Sequence, residues 1–261
     1  MDPLAVIEVG IDPMLRLAPV TLAWHGVTIA IGIVIGGLWA GAKARARGLE
    51  AEPLYAMGLI LIAGAMVGSK LFYLAEHGVL GDPDAWLASR GFTFYGGFIT
   101  VAIALAASVR RRRLSVGYLD AIALGLPLGY GIGRIGDVIN GEHFGPPTTF
   151  VLGVRNTHPD ADVPSNEIAY HSGGLYEMLI GLTTFAIALA LHGRLRGRPT
   201  AMIWLVLTLF GVGRFFEFFV RDDSAGSALG LEPAQWTSIA LILVAGAGAW
   251  LTRKRGVSRK P

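Results

Sequence analysis

Cysteine does not occur anywhere in these 261 residues. Disulfides, thiolate nucleophiles and cysteine metal sites are therefore excluded, and any thiol chemistry must bring its sulfur with the substrate. Charge is also scarce. Only 16% of the residues are Asp, Glu, Lys or Arg, against about 25% in an average soluble domain. The net charge of +3 gives no sign of nucleic-acid binding. A basic leader is missing too: the first nineteen residues are acidic (Asp2, Glu8, Asp12), and no cleavable signal peptide is expected. No internal repeat suggests an inverted-repeat transporter. Gly131 to Gly136 spells GxGxxG, but no strand leads into it and no acid follows at the βαβ distance, so a dinucleotide fold is set aside.

What is abundant is apolar surface and glycine. Hydrophobic residues make up 53% of the chain, mean hydropathy is +0.54, and there are 36 glycines. Apolar runs recur at about Val20–Ala42, Leu54–Ala75, Thr93–Val109, Val116–Arg134, Gly173–His192, Thr200–Val220 and Pro233–Leu251. Each is near the roughly 20 residues that cross about 30 Å of hydrocarbon as a helix. The expected fold is an all-α, polytopic membrane protein of about seven transmembrane helices, forming a single transmembrane domain over 1–261.

Basic residues alternate with these runs. Lys43, Arg45 and Arg47 follow the first, Arg110 to Arg113 the third, Arg194, Arg196 and Arg198 the fifth, and Arg253, Lys254, Arg255, Arg259 and Lys260 the seventh. The opposite segments carry only Arg16, Arg90, Arg155 and Arg221. By the positive-inside rule the amino terminus is outside and the carboxy terminus cytoplasmic. The long segment at about 135–172, rich in proline and acids, is expected to be an ordered extracytoplasmic cap. Glycines repeat at four-residue spacing at Gly32, Gly36, Gly37 and Gly41, at Gly64 and Gly68, and at Gly125, Gly129 and Gly133, where helices are expected to approach closely.

The cap opens on Gly133-Arg134-Ile135-Gly136-Asp137-Val138-Ile139-Asn140-Gly141-Glu142-His143-Phe144-Gly145. Ionisable groups at membrane depth cost roughly 2.5–3.5 kcal/mol each, so this cluster is a functional candidate. Its bland alternative is a span end in which Arg134 and Glu142 pair with each other. Along the chain no His, Asp or Glu group shows ligand spacing, so neither metal nor cofactor is expected.

These residues resemble the signature G-R-x-G-N-F-x-N-x-E-x-x-G of the bacterial prolipoprotein diacylglyceryl transferases, matching at Gly133, Arg134, Gly136, Asn140, Glu142 and Gly145 and departing at Asp137 and Val138. Further segments resemble the family in the same order. They are Trp24-His25-Gly26, Gly68-Ser69-Lys70-Leu71-Phe72-Tyr73, Phe94-Tyr95-Gly96-Gly97, His171 with Leu175-Tyr176-Glu177, Arg214 with Glu217, and Gln235. The family commonly has tyrosine at the His25 position and histidine at the Tyr95 position, so imidazole and phenol have exchanged places.

The resemblance implies transfer of a diacylglyceryl group from phosphatidylglycerol to the lipobox cysteine of a preprolipoprotein, releasing glycerol 1-phosphate, in the cytoplasmic membrane of a bacterium. The alternative is a non-catalytic relative, or a membrane transporter, that binds anionic phospholipid or lipoprotein precursor. The chemistry has its own demands: a thiol is deprotonated, and a phosphate monoester leaves with added negative charge. Arginine forks suit that charge. Arg134 and Arg214 are therefore the candidates for phosphate binding, with Glu142, His25 and Tyr95 completing the candidate catalytic set. Candidate substrate-binding residues are Asp137, Asn140, Gly145, Gly96, Gly97, Glu217, Lys70 and Tyr176. An ionised aspartate would repel phosphate, so Asp137→Asn is expected to retain or raise transfer.

Overall fold

The computed structural model describes residues 6–88, 93–111, 113–221 and 229–257. Arg90, Arg112, Arg259 and Lys260 lie outside the described residues, as do the side chains of Phe94, Tyr95, Lys254 and Arg255.

The fold is mostly helical. In chain order the elements are β1 (Ile7–Val9), β2 (Met14–Leu17), β3 (Val20–Ala23), α1 (Trp24–Arg45), α2 (Glu52–Glu76), α3 (Pro83–Leu87), α4 (Phe94–Arg111), α5 (Gly117–Gly133), α6 (Ile135–Asn140), β4 (Phe144–Pro147), β5 (Gly153–Asn156), β6 (Tyr170–Ser172), α7 (Gly173–Leu195), α8 (Ala201–Glu217), a 3₁₀ turn (Phe218–Val220) and α9 (Pro233–Val257). Six helical segments among the described residues are long and apolar enough to cross a membrane: 24–45, 52–76, 117–140, 173–195, 201–220 and 233–253. The stretch expected to span at about 93–109 forms α4 but is not among those six. The first span starts later than expected. Val20 to Ala23 is extended, paired antiparallel with Met14 to Leu17, because Val-Thr-Leu-Ala suits a pleated edge better than a helix start.

Two compact units are present: Met1–Ala40 with Leu119–Pro261, and Gly41–Tyr118. In the second unit, α4 closes on α2. A Cβ on Gly68 would meet the Gly96 carbonyl oxygen at 2.6 Å, and one on Gly97 would meet Ser69 Oγ. The paired glycines Gly96 and Gly97 thus pack a helix contact. Lys70 is buried in the same unit and donates to the Ala88 carbonyl at 2.8 Å.

In the first unit, backbone meets backbone where α1 crosses α5. A Cβ on Gly36 would lie 2.7 Å from the Gly125 carbonyl oxygen, and one on Gly129 2.6 Å from that of Gly32. Small residues at this spacing let dispersion act between whole helices where lipid offers no hydrophobic drive. Of the other glycines in that row, Gly37 faces open space. A core of Ala123, Leu124, Ala188, Met202 and Val206 joins α5, α7 and α8, with Trp39 edge-on to Phe185 against it. Buried Asp120 accepts from the Thr200, Met202 and Ile203 amides at 2.9, 3.1 and 3.3 Å, so a residue on α5 satisfies the open start of α8.

The cap adds a component the all-α expectation lacked. Its sheet runs β1-β5-β6-β4, with β1 parallel to β5 and the other pairs antiparallel. Asn156 on β5 donates to the Val138 and Ile139 carbonyls at 2.9 and 3.1 Å, and the Asp162 amide donates to Asn140 O at 2.7 Å. The end of α6 is thereby held by β5 and by the loop that follows it.

Candidate active site

Three arginines from separate segments of the first unit converge on one carboxylate. Glu177, on the first turns of α7, has a side chain only 1% exposed. It accepts from Tyr130 Oη at 2.5 Å, sits 2.5 Å from Arg134 Nε, pairs with Arg214 Nη1, and takes Arg221 Nη1 at 3.1 Å. Glu217 shares two of these partners, at 3.5 Å from Arg214 Nη1 and 3.2 Å from Arg221 Nη1. Glu217 lies three residues from Arg214 and four from Arg221, a helical spacing that brings it to both. Phe218 lies between two guanidiniums, 4.9 Å from that of Arg214 and 4.6 Å from that of Arg221. An aromatic face there adds cation–π attraction without another charge.

Arg134 extends the network in the other direction. Its Nη1 pairs with Asp137 Oδ2, while Asp137 Oδ1 takes Nδ1 of His25 at the start of α1. Glu142 Oε2 lies 3.1 Å from the same His25 nitrogen, and Glu142 Oε1 accepts from Asn140 Nδ2 at 2.9 Å. Arg134 and Glu142, which the sequence suggested could pair, instead take different partners. Burial pushes the Glu142 carboxyl up, but the hydrogen bonds from His25 and Asn140 outweigh it, leaving the group below its ordinary value.

Glycine makes these approaches possible. A Cβ on Gly136 would lie 2.5 Å from His25 Cα, so only glycine lets α6 sit against α1 with Asp137 beside the imidazole. Thr28 ties the same junction, donating to Gly133 O at 2.8 Å and accepting from the Gly136 amide at 3.0 Å. Gly141, at φ +79°, ends α6 and returns the chain so that the Gly141 and Glu142 amides both donate to Asp137 O at 3.0 Å. Gly145 lets β4 press on the Val220 carbonyl, next to Arg221.

Of the candidate residues, His25, Arg134, Asp137, Asn140, Glu142, Arg214 and Glu217 meet in this cluster, and Gly145 supports it. Tyr176 pairs with His171 instead, Oη to Nδ1 at 2.5 Å. Lys70, Gly96 and Gly97 belong to the unit of residues 41–118, and the Tyr95 side chain is outside the described residues. Sequence reasoning missed Glu177 as the hub, with Arg221, Tyr130 and His143 around it. Glu177 stood in a motif that the resemblance had already picked out, and Arg221 stood four residues past Glu217. Convergence across helices is what linear spacing does not encode.

His25, Asp137 and Glu142 also place one ligand atom each within 4.8 Å of one another. The sequence showed no such grouping because over a hundred residues separate His25 from the other two. The trio's atoms are already engaged with one another, and the Arg134 guanidinium sits on Asp137, where it would repel a cation. The three side chains form a hydrogen-bonded charge chain.

The family model described as prolipoprotein diacylglyceryl transferase matches residues 13–251. The chain belongs to this family. It is 30% identical over 253 residues to the phosphatidylglycerol–prolipoprotein diacylglyceryl transferase of Wolbachia sp. subsp. Drosophila simulans, covering 90% of this chain and 92% of that one. It is 31% identical over 280 residues to the enzyme of that name from Erythrobacter litoralis, covering 100% and 97%. With that from Bordetella bronchiseptica it shares 32% over 268 residues, covering 95% and 98%.

Proposed function

We propose that this diacylglyceryl transferase family member moves the diacylglyceryl group of phosphatidylglycerol onto the lipobox cysteine of a prolipoprotein, releasing glycerol 1-phosphate. The observation that carries the reading is the meeting of Arg134 and Arg214, from different helices, on the buried carboxylate of Glu177. In the reaction the cysteine sulfur attacks the glyceryl carbon, the carbon–oxygen bond to phosphate breaks, and its electron pair leaves with the phosphate. The leaving group gains charge as that bond lengthens, so cations fixed beforehand favour the transition state over the ground state. Glu177 and Glu217 hold those cations in place. Asn140 Oδ1, buried without a partner, offers an acceptor to a headgroup hydroxyl.

The same reading has seven spans, α4 among them, with the amino terminus and the cap outside the bacterial cytoplasmic membrane. The alternation of Lys and Arg along the chain supports it.

The test is direct. Purified protein is incubated with phosphatidylglycerol and a lipobox peptide, and the peptide mass is followed. A diacylglyceryl adduct that falls by about 100-fold or more in Arg134→Ala is expected, by analogy with loss of one charge-stabilising donor. Lipid binding with no adduct would assign the chain to a binding role instead.

A further inference from the structure

Asp137 has no exposed side-chain surface, and both its carboxylate oxygens are engaged, Oδ1 by His25 Nδ1 and Oδ2 by Arg134 Nη1. A group so enclosed has nothing left with which to touch a substrate. We propose that Asp137 is the positioning residue of a dyad in which His25 takes the proton of the attacking thiol. The proposal rests on the transferase reading above and gives a residue to its first chemical step.

The hydrogen-bond pattern separates His25 from its neighbour His143. A carboxylate can only accept, so His25 Nδ1 carries the proton it donates to Asp137; with Glu142 on the same nitrogen the pair of carboxylates favours the imidazolium, and the ring that takes the thiol proton is the neutral form, with its lone pair on Nε2. That nitrogen lies across the ring from Asp137, on a side chain 36% exposed. At His143 the order is reversed. Arg221 Nη2 donates to Nδ1 at 3.0 Å, which leaves the neutral ring's proton on Nε2, 4.0 Å from Asp137 Oδ2. In this state the lone pair of the His143 ring, on Nδ1, is already taken by Arg221.

The groups facing His25 are Asp137, Glu142 and, through Asp137, Arg134. When the S–H proton moves to Nε2, the imidazolium is formed against Asp137 with Glu142 close to the same nitrogen, and thiolate is left to attack. The sulfur–carbon bond forms as the carbon–oxygen bond breaks, the electron pair departs on the phosphate between the arginines, and the proton returns to water. Fixing ring and tautomer is what an aspartate does in hydrolytic triads, and general-base transfer of this kind contributes about 10²–10⁴-fold. The expectation from the sequence that Asp137→Asn leaves transfer intact is thereby reversed. A carboxamide in that place can turn its NH₂ to Nδ1 and stabilise the wrong tautomer.

The experiment compares two lipobox peptides, one with cysteine and one with selenocysteine, a selenol being largely ionised at neutral pH and needing no base. With cysteine, Asp137→Asn and His25→Gln should each lose about 100-fold or more in kcat with KM for phosphatidylglycerol little changed. With selenocysteine both should return to within about ten-fold of the wild-type protein, while Arg134→Ala stays impaired with either peptide because its loss concerns the leaving group. Equal losses with both nucleophiles, or a wild-type rate for Asp137→Asn on cysteine, would overturn the dyad. Should Asp137→Asn fail to fold, His25→Gln reads the same selective rescue. A wild-type protein that makes no adduct with either peptide would overturn the transferase reading itself, and is thus distinguishable from failure of the dyad alone.

Discussion

Around Glu177, three carboxylates (Asp137, Glu177 and Glu217) face three guanidiniums (Arg134, Arg214 and Arg221), with Glu142 and His25 beside them. Ions taken out of water hold together only when each finds its counter-charge, and removing one partner of a buried pair costs about 3–5 kcal/mol. Glu177→Gln keeps the shape but strands cations. It should lower the melting temperature in detergent and cut transfer by at least about 100-fold, as loss of a fixed charge arrangement does. Adding Arg221→Gln should recover part of the stability, since it restores the charge balance; equal or additive losses in the double variant would show that the two residues are independent.

Glu142 gives a pH prediction at the same scale. Its folded-state pKa lies below its unfolded one, so the stability it contributes is present above the ordinary glutamate value of 4.5 and is lost as pH falls through the lowered one. The melting-temperature difference between the wild-type protein and Glu142→Gln should be constant near neutrality and shrink only below that ordinary value. A difference that vanished between pH 6 and 7 would contradict this origin. The arginines and acids of this cluster were legible as residue types, because charge in an apolar chain stands out. Some partners were legible as well, Arg134 with Asp137 and Arg214 with Glu217 lying three residues apart, whereas Glu177 and His25 reach Arg134 and Glu142 across the fold.

Among elements, the crossing of α1 and α5 was the most legible contact. Four-residue glycine spacing has a single mechanical meaning, close approach, and Gly32, Gly36, Gly125 and Gly129 all realise it. Which glycine in a row faces the partner depends on helix rotation, and Gly37 shows that the row alone does not fix it. Gly36→Leu should therefore force the helices apart and destabilise the protein by more than the about 1–3 kcal/mol typical of overpacking, backbone being the obstacle. Gly37→Leu should be near neutral. Comparable melting temperatures for the two variants would refute the packing assignment. The strands were illegible for a different reason. Val20 to Ala23 continues an apolar run, and nothing in hydropathy separates a short paired strand from the first turn of a span. The cap strands are three or four residues long, below the length at which alternation can be counted.

Across the whole molecule, large apolar side chains point outward along the spans, with Val34, Leu59 and Leu243 each more than half exposed. In water such a surface would aggregate; in hydrocarbon it is the solvent-facing side, and the helices keep their backbone hydrogen bonds internal. The 23 residues of α7 rise about 34 Å, enough to cross about 30 Å of hydrocarbon. Its two ends must then face different compartments. The absence of cysteine makes this directly measurable. Thr149→Cys places one thiol on the exposed part of the cap, and Gly197→Cys places one just beyond the other end of α7, where added side-chain atoms meet open space. In intact spheroplasts a membrane-impermeant maleimide should label the first and spare the second, and lysis should expose both. The reverse pattern would put the arginine cluster, whose residues include the start of α7, at the cytoplasmic face. A lipobox cysteine translocated across the membrane would then have no path to it, and the charge alternation along the chain would have misled.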